Sequence, residues 1–313
     1  MTPYEKLQKK IFEAKNFNTS SEEIATFITN LSKENYLNIA SEIESIPESV
    51  VHDSTPEKIY AKVSDMILSR AFNELGLKSS VLNERGNAAD VYAESRWHNY
   101  SLVGDAKIYR LSRTAKNQKD FKVTGLDTWR KDSEYAVLCS PYFCYPKTKS
   151  QIYSESLTRN VSLFSWEWML FLIKNDVIES PACSLADIWN FAETYQKNVL
   201  LPDIQKRYLE GEGKFIENFV VNQNGKLKFT IDDIFKYQVG TVSTRAEVEK
   251  SYWADQKKII RNYSKKRAIT ELIEAKKIDN KIKQIDSYVR GIKQLAPGFK
   301  ESNHDSAHVE HHF

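Results

Sequence analysis

A chain of 313 residues, 41% hydrophobic and 12% aromatic, is long enough for one large domain or two ordinary ones and apolar enough to exclude global disorder. Its formal net charge of +3 does not by itself announce a polyanion partner. Cys139, Cys144 and Cys183 form no CxxC pair, which argues against a structural zinc site or a disulfide framework and for a reducing compartment.

In chain order, the first 50 residues read as helical. "MTPYEKLQKKIFEAK" is charged and lacks the apolar core of a secretion signal. "SSEEIATFITNL" predicts a helix opened by a capping box from Ser20 to Glu23, with Ile24, Phe27, Ile28 and Leu31 on one face. "STPEKIYAKVSDMILSRAFNELG" predicts a second helix, capped by Ser54 or Thr55 and closed by Gly76. The period then changes from helical to alternating. Residues 88–95 and 100–109 read as two strands of a hairpin, and residues 134–143 as a buried central strand. A helix over 147–160, a strand over 161–166 and the apolar helix "EWMLFLIKN" follow. The order from residue 55 to 175 predicts an α/β fold, a mixed sheet flanked by helices.

The longest apolar stretch, "WEWMLFLI", is too short to span a bilayer, so a soluble cytoplasmic protein is expected. Beyond about Arg245 the chain is helical and charged. Ile278, Ile282, Ile285, Val289 and Ile292 repeat at 4, 3, 4, 3, which suits either a dimer helix or one docked on its own domain. The tail, with His304, His308, His311 and His312, reads as a disordered polar segment.

Charge and spacing single out one region. Residues 107–131 hold eight Lys/Arg and two Asp, a net of +6 that leaves the rest of the chain at −3. Asp105 and Lys107 end an apolar strand and point to the same face, and the hairpin partner can bring Asp90 beside them. Paired carboxylates repel unless a cation lies between them, and oxygen-only ligands favour Mg²⁺, which also takes phosphate oxygens. A neighbouring ammonium can orient a water or stabilise a phosphorane-like transition state. A surface Asp–Lys pair is the alternative that spacing alone leaves open. Behind it, Lys107, Arg110, Arg113, Lys116, Lys119 and Lys122 recur at spacing three. On a continuous helix that spacing would spread them around the cylinder, so a loop or short helix wrapping a polyanion is expected. Asn117 and Gln118 add amides of the kind that read adenine.

"ERGNAADVYAES", "DAKIYRLSRTAKNQKDFKV", "YAVLCSPYFCYPKTKSQIY" and "LFSWE" closely resemble the HindIII-like type II restriction endonucleases, most strongly over residues 84–167. The resemblance implies a PD-(D/E)xK nuclease core, a restriction-endonuclease-like αβββαβ arrangement, over residues 51–200. Outside it, where the likeness is weak or absent, the residue pattern itself gives helical regions at 1–50 and 201–300 and a tail at 301–313, and within it the charge run gives a DNA-binding segment at 107–131. The resemblance places Asp90, Asp105 and Lys107 on the catalytic positions, with Asp90, Asp105 and the Ala106 carbonyl as metal ligands. Ala89 stands where the motif has proline, and Glu57 is a candidate for the family's helix glutamate, although a capping role explains it equally well. Arg110, Arg113, Lys116, Asn117, Gln118, Lys119 and Lys122 would contact DNA. The resemblance further implies Mg²⁺, duplex DNA carrying AAGCTT, a symmetric homodimer and a methyltransferase that protects the host's own sites. A less specific repair nuclease and a non-catalytic DNA-binding module are the alternatives.

Overall fold

The computed structural model describes residues 1–82, 89–113, 118–146, 150–198 and 204–295. The chain divides into two compact units, 1–252 and 253–313.

In the first unit three short helices lead in: α1 (Pro3–Phe12), α2 (Phe17–Thr29) and α3 (Lys33–Ala40). Thr2 and Glu5 form a capping box on α1. Asn16, not Ser20, caps α2: its side chain accepts from the Thr19 amide, so the helix starts before the expected box. Then comes α4 (Thr55–Glu74), capped by Ser54 and stopped by Gly76 at φ +90°, as its sequence predicts.

The sheet has five strands in the order β1 (Lys78–Val81), β2 (Val91–Glu94), β3 (Ser101–Ala106), β4 (Tyr135–Ser140), β5 (Val161–Ser165). The first three are antiparallel neighbours, and β3–β4 and β4–β5 are parallel. Parallel pairs need crossovers. α5 (Gln118–Phe121) and α6 (Val123–Arg130) make the first, and α7 (Gln151–Arg159) makes the second. β4, apolar up to Ser140 and lying between two parallel partners, is an interior buried strand, as its composition predicts. β1 was not legible: "KSSV" is polar and short, and it is a strand because it pairs with β2 at the sheet edge. The result is the mixed α/β sheet with flanking helices of a restriction-endonuclease-like fold.

Alternate residues of the strands feed two cores. Leu102, Val137 and Phe164 face α4 and α8 (Trp166–Lys174), while Val103, Leu138 and Leu163 face α6 and α7. Four further helices follow: α9 (Ala186–Trp189), α10 (Phe191–Asn198), α11 (Ile204–Asn224) and α12 (Ile231–Arg261). Gly104 decides how closely α4 can lie on β3. A Cβ there would meet Leu68 Cδ2 at 3.0 Å and Phe72 Cε2 at 3.2 Å.

The second unit holds α13 (Lys265–Ala275) and α14 (Ile278–Leu295), with Ile278, Ile282, Ile285 and Val289 of the latter exposed. Among the described residues no helix is long and apolar enough to cross a membrane. The histidine-rich tail lies outside the described residues.

Candidate active site

The site forms where β2 begins and β3 ends. Val91 pairs with Gly104 in the antiparallel register, which sets Asp90 opposite Asp105. Asp105 is fully buried, and Lys107, the second residue on, reaches back to place Nζ 2.5 Å from Asp105 Oδ1. The close approach of α4 at Gly104 brings in a third acid. Asp65 lies one turn before Leu68 on the same face of α4, and its Oδ1 accepts from the Ala106 amide at 3.3 Å. Carboxylate oxygens of Asp65, Asp90 and Asp105 all lie within 4.8 Å of one another.

Sequence reasoning missed Asp65 and looked instead at Glu57, two turns earlier. Glu57 proves to be a cap and an anchor: its carboxylate accepts from the Asp53 amide at 2.7 Å and pairs with Arg110 at 2.5 Å. Burial disfavours its charge, but the bonds from Arg110 and the Asp53 amide outweigh burial and hold the carboxyl below its ordinary range. One signal for Asp65 was available: an acid standing at core spacing, 65, 68, 72, inside an otherwise apolar stripe.

The electrostatics are those of a site short of positive charge. Burial, with Asp90 and Asp105 adding repulsion, pushes Asp65 well above the ordinary carboxylate range. Burial also raises Asp105, against the pull of Lys107. Lys107 is held above its ordinary value: burial disfavours its charge, but contact with Asp105 wins, and Asp65 and Asp90 add to it. These tendencies conflict at the Asp105–Lys107 pair, and the 2.5 Å contact decides for the ionised pair. The second oxygen of Asp105, Oδ2, is buried with no hydrogen-bond partner among the described residues. An orphaned carboxylate oxygen amid two further acids fits a divalent cation bound through oxygen alone. Asp65, Asp90 and Asp105 would hold it. Ala106 follows Asp105 at the strand end, its amide already given to Asp65.

The basic segment leaves this strand end as a turn at residues 111–112, then continues as α5 and α6 with Lys122 left-handed at φ 47° between them. It is therefore not a single helix, as the spacing argument required. Its start is tied to α5: the Tyr109 and Phe121 rings meet at 5.8 Å, and Phe121 stacks on Tyr145 at 5.4 Å. Arg110 turns into the protein, donating to the Pro47 carbonyl at 2.8 Å as well as to Glu57. Arg113 lies over the Tyr109 ring at 4.9 Å and pairs with Asp120. Lys122 is exposed, its Nζ 5.9 Å from the Trp129 ring centroid, and its charge is felt at Asp105. Gln118 and Lys119 open α5, whereas Lys116 and Asn117 lie outside the described residues.

The family model described as HindIII restriction endonuclease matches residues 13–289. The type II restriction enzyme HindIII of Haemophilus influenzae (strain ATCC 51907 / DSM 11121 / KW20 / Rd) is 39% identical over 278 residues, which cover 88% of this chain and 91% of that protein. Sheet, acidic cluster and these two matches agree, and the chain belongs to the HindIII restriction endonuclease family of type II site-specific deoxyribonucleases.

Proposed function

We propose that this enzyme cuts duplex DNA at AAGCTT as a symmetric homodimer, using Mg²⁺ held by Asp65, Asp90, Asp105 and the Ala106 carbonyl. The observation that carries this reading is the convergence of three carboxylates within 4.8 Å beside Lys107, at the root of a basic segment. The bound ion would neutralise charge on the scissile phosphate and acidify a coordinated water. Lys107, already charged and held by Asp105, orients the water that attacks phosphorus and stabilises the negative charge that grows on the phosphoryl oxygens. The phosphorus–O3′ bond breaks, leaving 5′-phosphate and 3′-hydroxyl ends.

Arg113, Lys116, Asn117, Gln118, Lys119 and Lys122 grip phosphates or read bases beside the cut, while Arg110 holds the base of the segment. A two-fold protein matches a palindrome. The exposed apolar stripe of α14, Ile278, Ile282, Ile285 and Val289, supports association with a second copy. Within a cell the activity requires a methyltransferase of the same specificity, and the reading places the enzyme in the cytoplasm. Incubating the protein with a long DNA of known sequence, with and without Mg²⁺, tests the whole reading. Discrete fragments ending at AAGCTT support it, a smear points to a less specific nuclease, and binding without cleavage points to a binding module.

A further inference from the structure

The basic segment is held from outside itself. Residues 42–48, between α3 and α4, lie against its root: the Ile46 amide donates to the Tyr109 carbonyl at 3.3 Å, and Ser45 bridges to Tyr109. Glu48 supplies the firmest tie. Its Oε1 accepts from the Ser112 amide at 2.9 Å and its Oε2 from the Ser112 hydroxyl at 2.8 Å, so one carboxylate holds the turn through which the chain leaves the catalytic strand. Arg110 closes the same turn on the carbonyls of Pro47 and Glu48.

The 42–48 segment is in turn fixed by one face of α12. Glu249 accepts from the Glu48 amide at 2.8 Å, Arg245 pairs with Glu42 at 2.9 Å, and Gln238 donates to Glu44. Glu48 and Glu249 are both buried, so these bonds are shielded from solvent. The chain of contacts runs from α12 through Glu249 and Glu48 to Ser112, the last turn before the DNA-contacting residues.

We propose that Glu48 and Glu249 are positioning residues that set the direction in which the basic segment leaves the catalytic strand, so that discrimination between target sequences depends on α12. This rests on the reading of Arg113 and the residues up to Lys122 as the DNA-contacting segment. A misplacement of about 1 Å at the turn is enough to cost on the order of 100-fold in a positioned reaction.

The test uses the full chain with Mg²⁺ and two short duplexes, one with AAGCTT and one with a single base pair replaced. Glu48→Ala is expected to lower the ratio of cleavage rates between them by roughly 10-fold or more, raising KM while kcat falls less. Glu48→Gln, which keeps an acceptor for the Ser112 amide, should restore most of the ratio. Glu249→Ala should move it in the same direction by less, and Ser112→Ala serves if the Glu48 variant does not fold. Variants that melt lower yet keep parental discrimination and KM would show a merely structural clamp and overturn the proposal. Lys122→Ala separates the two readings. If Lys122→Ala weakens duplex binding and the Glu48 and Ser112 variants change nothing, the positioning claim alone fails; if Lys122→Ala and Arg113→Ala both leave binding unchanged, the segment does not contact DNA.

Discussion

Asp65→Asn isolates the acid that the tertiary structure adds to the site. The three carboxylates approach within 4.8 Å, and at that distance two full charges repel by about 3.5 kcal/mol at an effective dielectric of about 20. Lys107 is in contact with Asp105 and not with Asp65, so it offsets only part of this. Asparagine removes the charge but keeps the oxygen that accepts from the Ala106 amide. The metal-free variant should therefore be more stable than the parent, by about 1–3 kcal/mol, the part of that repulsion that Lys107 leaves uncompensated. For a unit of this size that is roughly 2–10 °C in melting temperature. Asp65 titrates high in the folded state, so its contribution is fully present at low pH and lost as pH rises through its raised value. The advantage of the variant should thus be largest in alkaline buffer and vanish below the ordinary carboxylate range. The same variant should lose the stabilisation by Mg²⁺, worth about 2.7 kcal/mol at one hundred times Kd in the parent, and cleave plasmid DNA at least ~100-fold more slowly. Thermal melts in EDTA and in graded Mg²⁺, across pH, measure all of this. A metal-free variant that melts below the parent, or one that keeps its Mg²⁺ shift and cleavage, refutes the account of the site.

Lys107→Ala should slow cleavage by about 100-fold or more while sparing duplex binding, since on the proposed mechanism Lys107 acts on the reacting phosphate; near-parental turnover would exclude Lys107 from the mechanism. Gly104→Ala places a methyl 3.0 Å from Leu68 Cδ2 and should cost about 1–3 kcal/mol while pushing Asp65 off the Ala106 amide, read as a lower melting temperature together with weaker Mg²⁺ stabilisation. Glu167, buried on α8 and accepting from the Tyr142 amide, is raised to about 7 by burial. Folding therefore favours its protonated form, so stability should fall by about 3 kcal/mol as pH rises from 4.5 to about 7 and level off above, and Glu167→Gln should flatten that slope. An unchanged slope in denaturant titrations of that variant would assign the titration to another group.

Much of the fold could be read locally. Ser54 and Gly76 bound α4 because caps and left-handed glycines act within a turn of the chain. β2 shows in the alternation of its residues, and β4 in its unbroken apolar run, because a buried parallel strand needs apolar side chains on both faces. β1 was hidden since its residues are polar and only β2 makes it a strand. α5 and α6 were obscured by the charge spacing, although the same spacing correctly excluded one continuous basic helix.

At the site, Asp90, Asp105 and Lys107 lie on or next to the ends of two neighbouring strands, so period and register suffice to bring them together. Asp65 sits 40 residues before Asp105, on another element, and Arg110 reads as one more basic residue of its segment. Whether Asp65 reaches the Ala106 amide depends on how closely α4 packs over Gly104, and whether Arg110 faces DNA or Glu57 depends on where the 47–48 carbonyls lie. Spacing along a chain determines which neighbours share a face; which distant groups meet is decided by packing, and only the tertiary structure contains that.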